Sequence, residues 1–261
     1  MSVSPVVAFP ATQAQKRNIL AVASGKGGVG KTWFSITLAH SLAKAGMRSL
    51  LFDGDLGLAN VDVQLGVTPE RDLAAVIAGQ ITLEQAVTRC PAGFDIVAGR
   101  SGSGSLATLP ANRLLGLRND LQQFAQGYDW AVLDLGAGIE RTVRLLAAQS
   151  RACLVITTDE PTSITDAYAF IKVTAMERLA DNIQIVVNMA ANPREGERTY
   201  QTLLRACREF LKLEPKLAGV VRRDDHVKDS IRRQSSILTR HPTSDAAVDV
   251  ETITKRILGT V

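Results

Sequence analysis

The chain has 261 residues, 46% hydrophobic and 21% charged, with 30 Lys and Arg against 26 Asp and Glu and a formal charge of +4. These values exclude a disordered or fibrous chain, and the length gives ample core for one large α/β domain or two small ones. So small a charge excess does not by itself establish nucleic-acid binding.

Residues 1–17 hold Pro5 and Pro10 without a sustained period and read as a loose N-terminal arm. No proline-rich or charge-block linker follows, so 18–261 read as one domain. Apolar runs at 19–23, 49–52, 94–97, 130–133, 153–157, 183–187 and 217–221 predict strands buried on both faces. Helical patterns at 33–45, 111–125 and 163–179 lie between them; Ile164, Tyr168, Ile171 and Ala175 mark one helix face. The expected fold class is therefore α/β, a mostly parallel twisted sheet flanked by helices, with ligands at the carboxyl ends of the strands. The small-residue stretch 100–105 (RSGSGS) reads as a surface loop. Cys90, Cys153 and Cys207 lack metal-ligand spacing and read as buried thiols in a reducing compartment. The N-terminus has no long apolar core and no run reaches membrane-spanning length, so a cytoplasmic protein is expected.

The chemistry begins at residues 23–33, ASGKGGVGKTW. Gly25 to Thr32 fit G-x-x-x-x-G-K-[ST], entered from a strand and leaving into a helix, which predicts a P-loop NTPase. Backbone amides of Gly27, Gly28, Val29 and Gly30 would form a nest for phosphate oxygens, helped by the helix N-terminus. Lys31 is placed to reach the β- and γ-phosphates, and the Thr32 hydroxyl to ligate Mg²⁺. Asp134 ends an apolar strand and precedes x-Gly. An isolated Asp there is more often a cap, but behind a phosphate loop it is the expected neighbour of the metal. Asp53 and Asp55 share one side of an extended segment, one for the metal and one for an attacking water; spacing does not assign which.

The second lysine carries a resemblance. Lys26 to Thr32, KGGVGKT, resembles the deviant Walker A loop of MinD/ParA ATPases. The segments 53–62 (DGDLGLANVD), 134–139 (DLGAGI) and 160–169 (EPTSITDAYA), with Asp225-His226-Val227 and His241-Pro242-Thr243-Ser244, resemble its flagellar-number branch, FlhG/FleN. The resemblance implies ATP and Mg²⁺ as cofactors and a nucleotide-sandwich homodimer in which Lys31 acts in cis and Lys26 on the partner's phosphates. It implies that Asp55 positions the water, that Asp53 and Asp134 serve the metal with Thr32, and that Asn188 meets the adenine edge. It further implies slow ATP hydrolysis, a switch controlling flagellar number or polar positioning, and as partners the flagellar GTPase FlhF or a basal-body or transcription component. Localisation would be cytoplasmic, with peripheral attachment at the inner membrane or cell pole.

Some positions depart from that pattern. Trp33 replaces a small polar residue beside the α-phosphate; packing on the sheet is favoured over stacking near ribose and base. Arg222 replaces a proline and is expected to loosen or re-aim the adenine wall. Residues 11–15 lack a clear form of the motif that stimulates FlhF, and Ile253, Ile257 and Leu258 form only a short apolar stripe, favouring a docked last helix and at most weak membrane-surface association. The competing function is ParA-like DNA segregation or cargo positioning, carried by Arg222, Arg223, Lys228, Arg232, Arg233 and Arg240 but interrupted by Asp224, Asp225 and Asp229. A nitrogenase-reductase-like role ranks last, since paired cluster-binding cysteines are not evident.

Overall fold

The computed structural model describes residues 18–55, 57, 59–99, 110–177 and 182–260. The N-terminal arm with its 11–15 stretch, Leu56 and Leu58 of the 53–62 segment, the 100–105 loop and the end of the 163–179 helix lie outside them.

Continuous apolar runs become strands because both faces of the sheet are covered. Along β1 (Ile19–Ser24), Ile19, Ala21 and Ala23 join one core cluster, whereas Leu20 and Val22 join the other. The sheet further contains β2 (Ser49–Gly54), β3 (Val87–Arg89), β4 (Asp95–Val97), β5 (Trp130–Ala137), β6 (Ala152–Thr157), β7 (Ile183–Ala190) and β8 (Lys216–Arg222). Its order is β3-β4-β2-β5-β1-β6-β7-β8, with every described pair parallel except β3–β4. All seven expected strands are present. The antiparallel β3 was not expected: three residues are too short to display a period. It is made by a turn in which Gly93, at φ 95, donates to the Cys90 carbonyl.

Helices α1 (Lys31–Lys44), α2 (Val61–Leu65), α3 (Leu73–Ile77), α4 (Ala111–Phe124), α5 (Arg141–Ala147), α6 (Pro161–Met176), α7 (Pro193–Ala206), α8 (Asp225–Arg232), α9 (Ile237–Arg240) and α10 (Asp245–Leu258) complete the chain. Proline at the first turn starts α6 and α7, where its missing N–H costs nothing. Phe170 and Leu203 pack on one face of the sheet, Phe34, Leu38, Val250 and Ile253 on the other. The last helix is docked, as its short apolar stripe implied: Ile253 is 1% exposed, and Asp245–Leu258 packs on β8 and α1. The three cysteines are free and buried.

His40 of α1 ties α9 to this layer. Its Nδ1 lies 2.7 Å from the Ser236 hydroxyl, which also accepts from the Leu238 amide at the start of α9. Burial first, and then the charge of Lys44, lower its pKa from 6.5 to about 4, against a smaller opposing pull from Glu251. The fold therefore holds neutral His40, and its contribution is complete above pH 6.5 and lost as pH falls towards 4. Chemical denaturation at pH 7 and pH 4.5 should show this: His40→Asn is expected to lose less stability across that interval than the parent, by about 2 kcal/mol.

Candidate functional site

The central strands end together, and their ends carry the charged side chains. In the parallel register Asp134 of β5 lies beside Val22 of β1 and Asp53 of β2. The glycine loop leaves β1 and closes over them. Gly25 packs directly on α6, where a Cβ would stand 2.1 Å from the Asp166 carbonyl oxygen. Gly30, at φ 85, is the left-handed residue that opens α1, and a Cβ there would meet Asn188 Nδ2 at 2.4 Å. Gly27 and Gly28 face open space.

Lys31 turns inward and donates to Asp134 Oδ1 at 3.0 Å, and the Ser35 hydroxyl donates to the same oxygen at 3.0 Å. The other oxygen, Asp134 Oδ2, is buried with no partner among the described residues. An orphaned carboxylate oxygen beside an open glycine cradle and the half-buried Thr32 is a site that a cation would satisfy. These residues fit a Mg²⁺–nucleotide. Asp53 is occupied differently, since its oxygens accept from the amides of Asp55, Asn60 and Val61, each at 3.2 Å. Burial and then the neighbouring Asp134 push its pKa upward, against the pull of the amides and Lys31.

These groups border a cavity of about 560 Å³. Its lining includes Lys26, Lys31, Thr32, Trp33, Asp55 and Asn188. Among the expected site residues, Gly27, Gly28 and Gly30 also border it, and Val29 lies behind the loop in the core. Asp55 reaches β5, its Oδ1 standing 3.7 Å from where a Gly136 Cβ would be. The far wall comes from the end of β8 and from α8, with Met189 beside Asn188 at φ 58, a left-handed conformation uncommon for a side chain of this size.

Several positions have contacts that their spacing did not reveal. Lys26 has partners within its own chain: it donates to Glu160 Oε2 at 2.6 Å and to Thr162 Oγ1 at 3.0 Å. Asn188 donates to the Val29 carbonyl at 2.8 Å and so holds the loop itself. Trp33 is 5% exposed and packed among core residues, the favoured alternative. Arg222 does not loosen the wall; its Nε and Nη2 each donate to Asp249 at 2.8 Å, and Nη1 lies 2.7 Å from Asp245 Oδ1. In the basic cluster Arg233 and Arg240 share the single carboxylate of Asp229, while Arg223, Lys228 and Arg232 have no carboxylate partner among the described residues.

The nucleotide-binding domain family described as CobQ/CobB/MinD/ParA matches residues 20–237. The chain belongs to this family. Within it, the antiactivator FleN of Pseudomonas aeruginosa is 36% identical over 239 residues, covering 92% of this chain and 85% of FleN. The flagellum site-determining protein YlxH of Helicobacter pylori is 33% identical over 216 residues, covering 82% and 73%. The septum site-determining protein MinD of Pyrococcus horikoshii, solved with Mg-ADP, shares the fold with a TM-score of 0.75 at 21% identity, covering 92% of this chain and 95% of that one. The MinD/ParA fold and the resemblance to its flagellar branch are thereby borne out.

The Asn188 contact yields a prediction for the protein without nucleotide. Asn188→Ala leaves the Val29 carbonyl without its buried donor and should lower unfolding free energy by about 1–3 kcal/mol. Denaturant titration in nucleotide-free buffer checks this; an unchanged midpoint would mean that Asn188 contributes nothing to the loop's own stability.

Proposed function

We propose that the chain is an ATPase switch controlling flagellar number or placement. The observation that carries this is the two-lysine loop, with Lys31 drawn onto Asp134 and Lys26 at the rim of the cavity, in a chain that resembles FleN along most of its length. Bound Mg-ATP would supply the transferable phosphoryl group and the metal charge that makes it electrophilic. The amides of Gly27 to Thr32 would hold the phosphates, and Lys31 would exchange Asp134 for phosphate oxygens. Thr32 and Asp134 would hold Mg²⁺, the latter through its unpartnered oxygen. Asp53, tied to three amides, would order the 53–61 loop around the metal rather than reach it. Asp55 would orient the water, and Asn188 and the β8–α8 wall would border the adenine.

Lys26 is exposed enough to leave Glu160 for water or another anion, and in a nucleotide-sandwich dimer it would touch the partner subunit's phosphates. Ile139, 45% exposed after β5, offers apolar surface on the segment that follows Asp134. A flagellar partner such as FlhF, a basal-body component or a transcription factor would read the ATP-bound dimer. The likeness to FleN and YlxH, with Asp229 and Asp249 interrupting the basic cluster, supports this reading over a DNA-segregation ATPase.

Substitutions separate the roles. Asp55→Ala is expected to keep ATP affinity while turnover falls about 10²–10⁴-fold, whereas Lys31→Ala loses both. Equilibrium binding and single-turnover hydrolysis measure these; an Asp55→Ala enzyme at the parental rate would overturn the water assignment. Light scattering of Asp55→Ala with Mg-ATP should give a dimer, and adding Lys26→Ala should return it to monomer. A monomer at saturating ATP in the first variant counts against the switch.

A further inference from the structure

A second cavity lies at the opposite end of the sheet from the glycine loop. It has a volume of about 260 Å³ and sits where the last turns of α10 cross the N-terminal ends of β5, β1, β6, β7 and β8. Arg151, Lys216 and Arg256 border it, with Asn182, Gln184 and Trp130. All three cations are solvent-exposed, and none has a carboxylate partner among the described residues. Some arginines of this chain pair with acids, as Arg89, Arg144 and Arg222 do, whereas among the described residues these cations do not.

The backbone beneath these cations is fixed. The Arg151 amide donates to the Ile19 carbonyl at 2.7 Å, and the Arg151 carbonyl accepts from Asn182 Nδ2 at 3.0 Å. Its guanidinium stands 5.3 Å from the centre of the Trp130 ring, on which it stacks as a cation over a π face. Lys216 is in register with Gln184 on the neighbouring strand. Arg256 is steadied by donating from Nη1 to the Ala218 carbonyl at 3.0 Å, which leaves its other donors available. At the carbonyl end of α10 two acceptors are capped, since Gly259 and Thr260 donate back to the Arg256 and Lys255 carbonyls.

Three like charges around so small a cavity repel one another, and an anion is the group that relieves the repulsion. Two guanidinium forks and one ammonium suit a tetrahedral dianion better than a single carboxylate. The volume admits a headgroup, and the apolar wall of Ile253 and Ile257 suits a short carbon skeleton. We propose that this cavity binds a phosphate monoester, its oxygens held among Arg151, Lys216 and Arg256 and its carbon part against Trp130 and Ile257. A free phosphorylated metabolite and a lipid headgroup present the same chemistry.

Calorimetric titration of the full chain with glycerol 3-phosphate is expected to saturate, and Arg151→Gln/Lys216→Gln to weaken binding at least about tenfold while leaving circular dichroism unchanged. Should the double variant misfold, Lys216→Glu alone, an exposed residue at the start of β8, carries the same expectation. Flotation with phosphatidic acid vesicles, against phosphatidylcholine alone, separates the sources. Flotation with the acidic vesicles that the variants lose identifies a lipid headgroup, and binding of the soluble ester alone identifies a metabolite. Failure of both probes to bind overturns the proposal. So does binding that survives these substitutions; if Lys31→Ala then abolishes it, the phosphate belongs to the glycine loop.

Discussion

The buried ion pair between Lys31 and Asp134 fixes the geometry on which the rest of the site depends. It joins the glycine loop to the middle of the sheet, with side chains 8% and 1% exposed. A buried pair gains little net stability, because desolvation offsets attraction, yet losing one partner strands a charge in the core. Its structural effect is to specify one position of the loop over β5. Asp53 then lies beside Asp134, Ser35 shares its oxygen, and Asn188 closes on Val29 from β7. The pair also leaves the other Asp134 oxygen buried without a partner among the described residues.

Most of the framework was legible because both sheet faces are covered, which turns strands into unbroken apolar runs and leaves glycine and acid at their ends. The loop from Gly25 to Thr32 could be read residue by residue, since its spacing is dictated by the phosphate it would hold. What escaped were contacts between residues far apart in the chain. Glu160 meets Lys26 across 134 positions, and Arg222 meets Asp249 across 27. Nothing local marks either pair. Met189 escaped for another reason, because a left-handed backbone on a methionine contradicts its own preference and falls where the β7–β8 register shifts between Val187 and Ala190. Asp53 likewise holds contacts that its spacing from Asp55 does not reveal, since three backbone amides donate to it.

Lys26 is the site's exchangeable element. Its partners Glu160 and Thr162 stand at the start of α6 in water, where an ion pair is screened and easily traded for another anion. Lys31, by contrast, sits in the core on Asp134, where water screens the pair far less. Two lysines of one loop thus differ in solvent environment, which suits one to anchor and the other to respond.

The clamp on Arg222 makes α10 a mechanical part of the nucleotide wall. The helix has 14 residues and so spans about 21 Å, from Asp245 and Asp249 beside the end of β8 to Ile257 at the opposite rim of the sheet. One end of the helix holds Arg222, which lines the first cavity, and the other end lines the second. If a ligand at one end shifts the helix so as to change affinity at the other, the factor is by thermodynamic reciprocity the same in both directions. The helix is thus the element that would connect the two cavities.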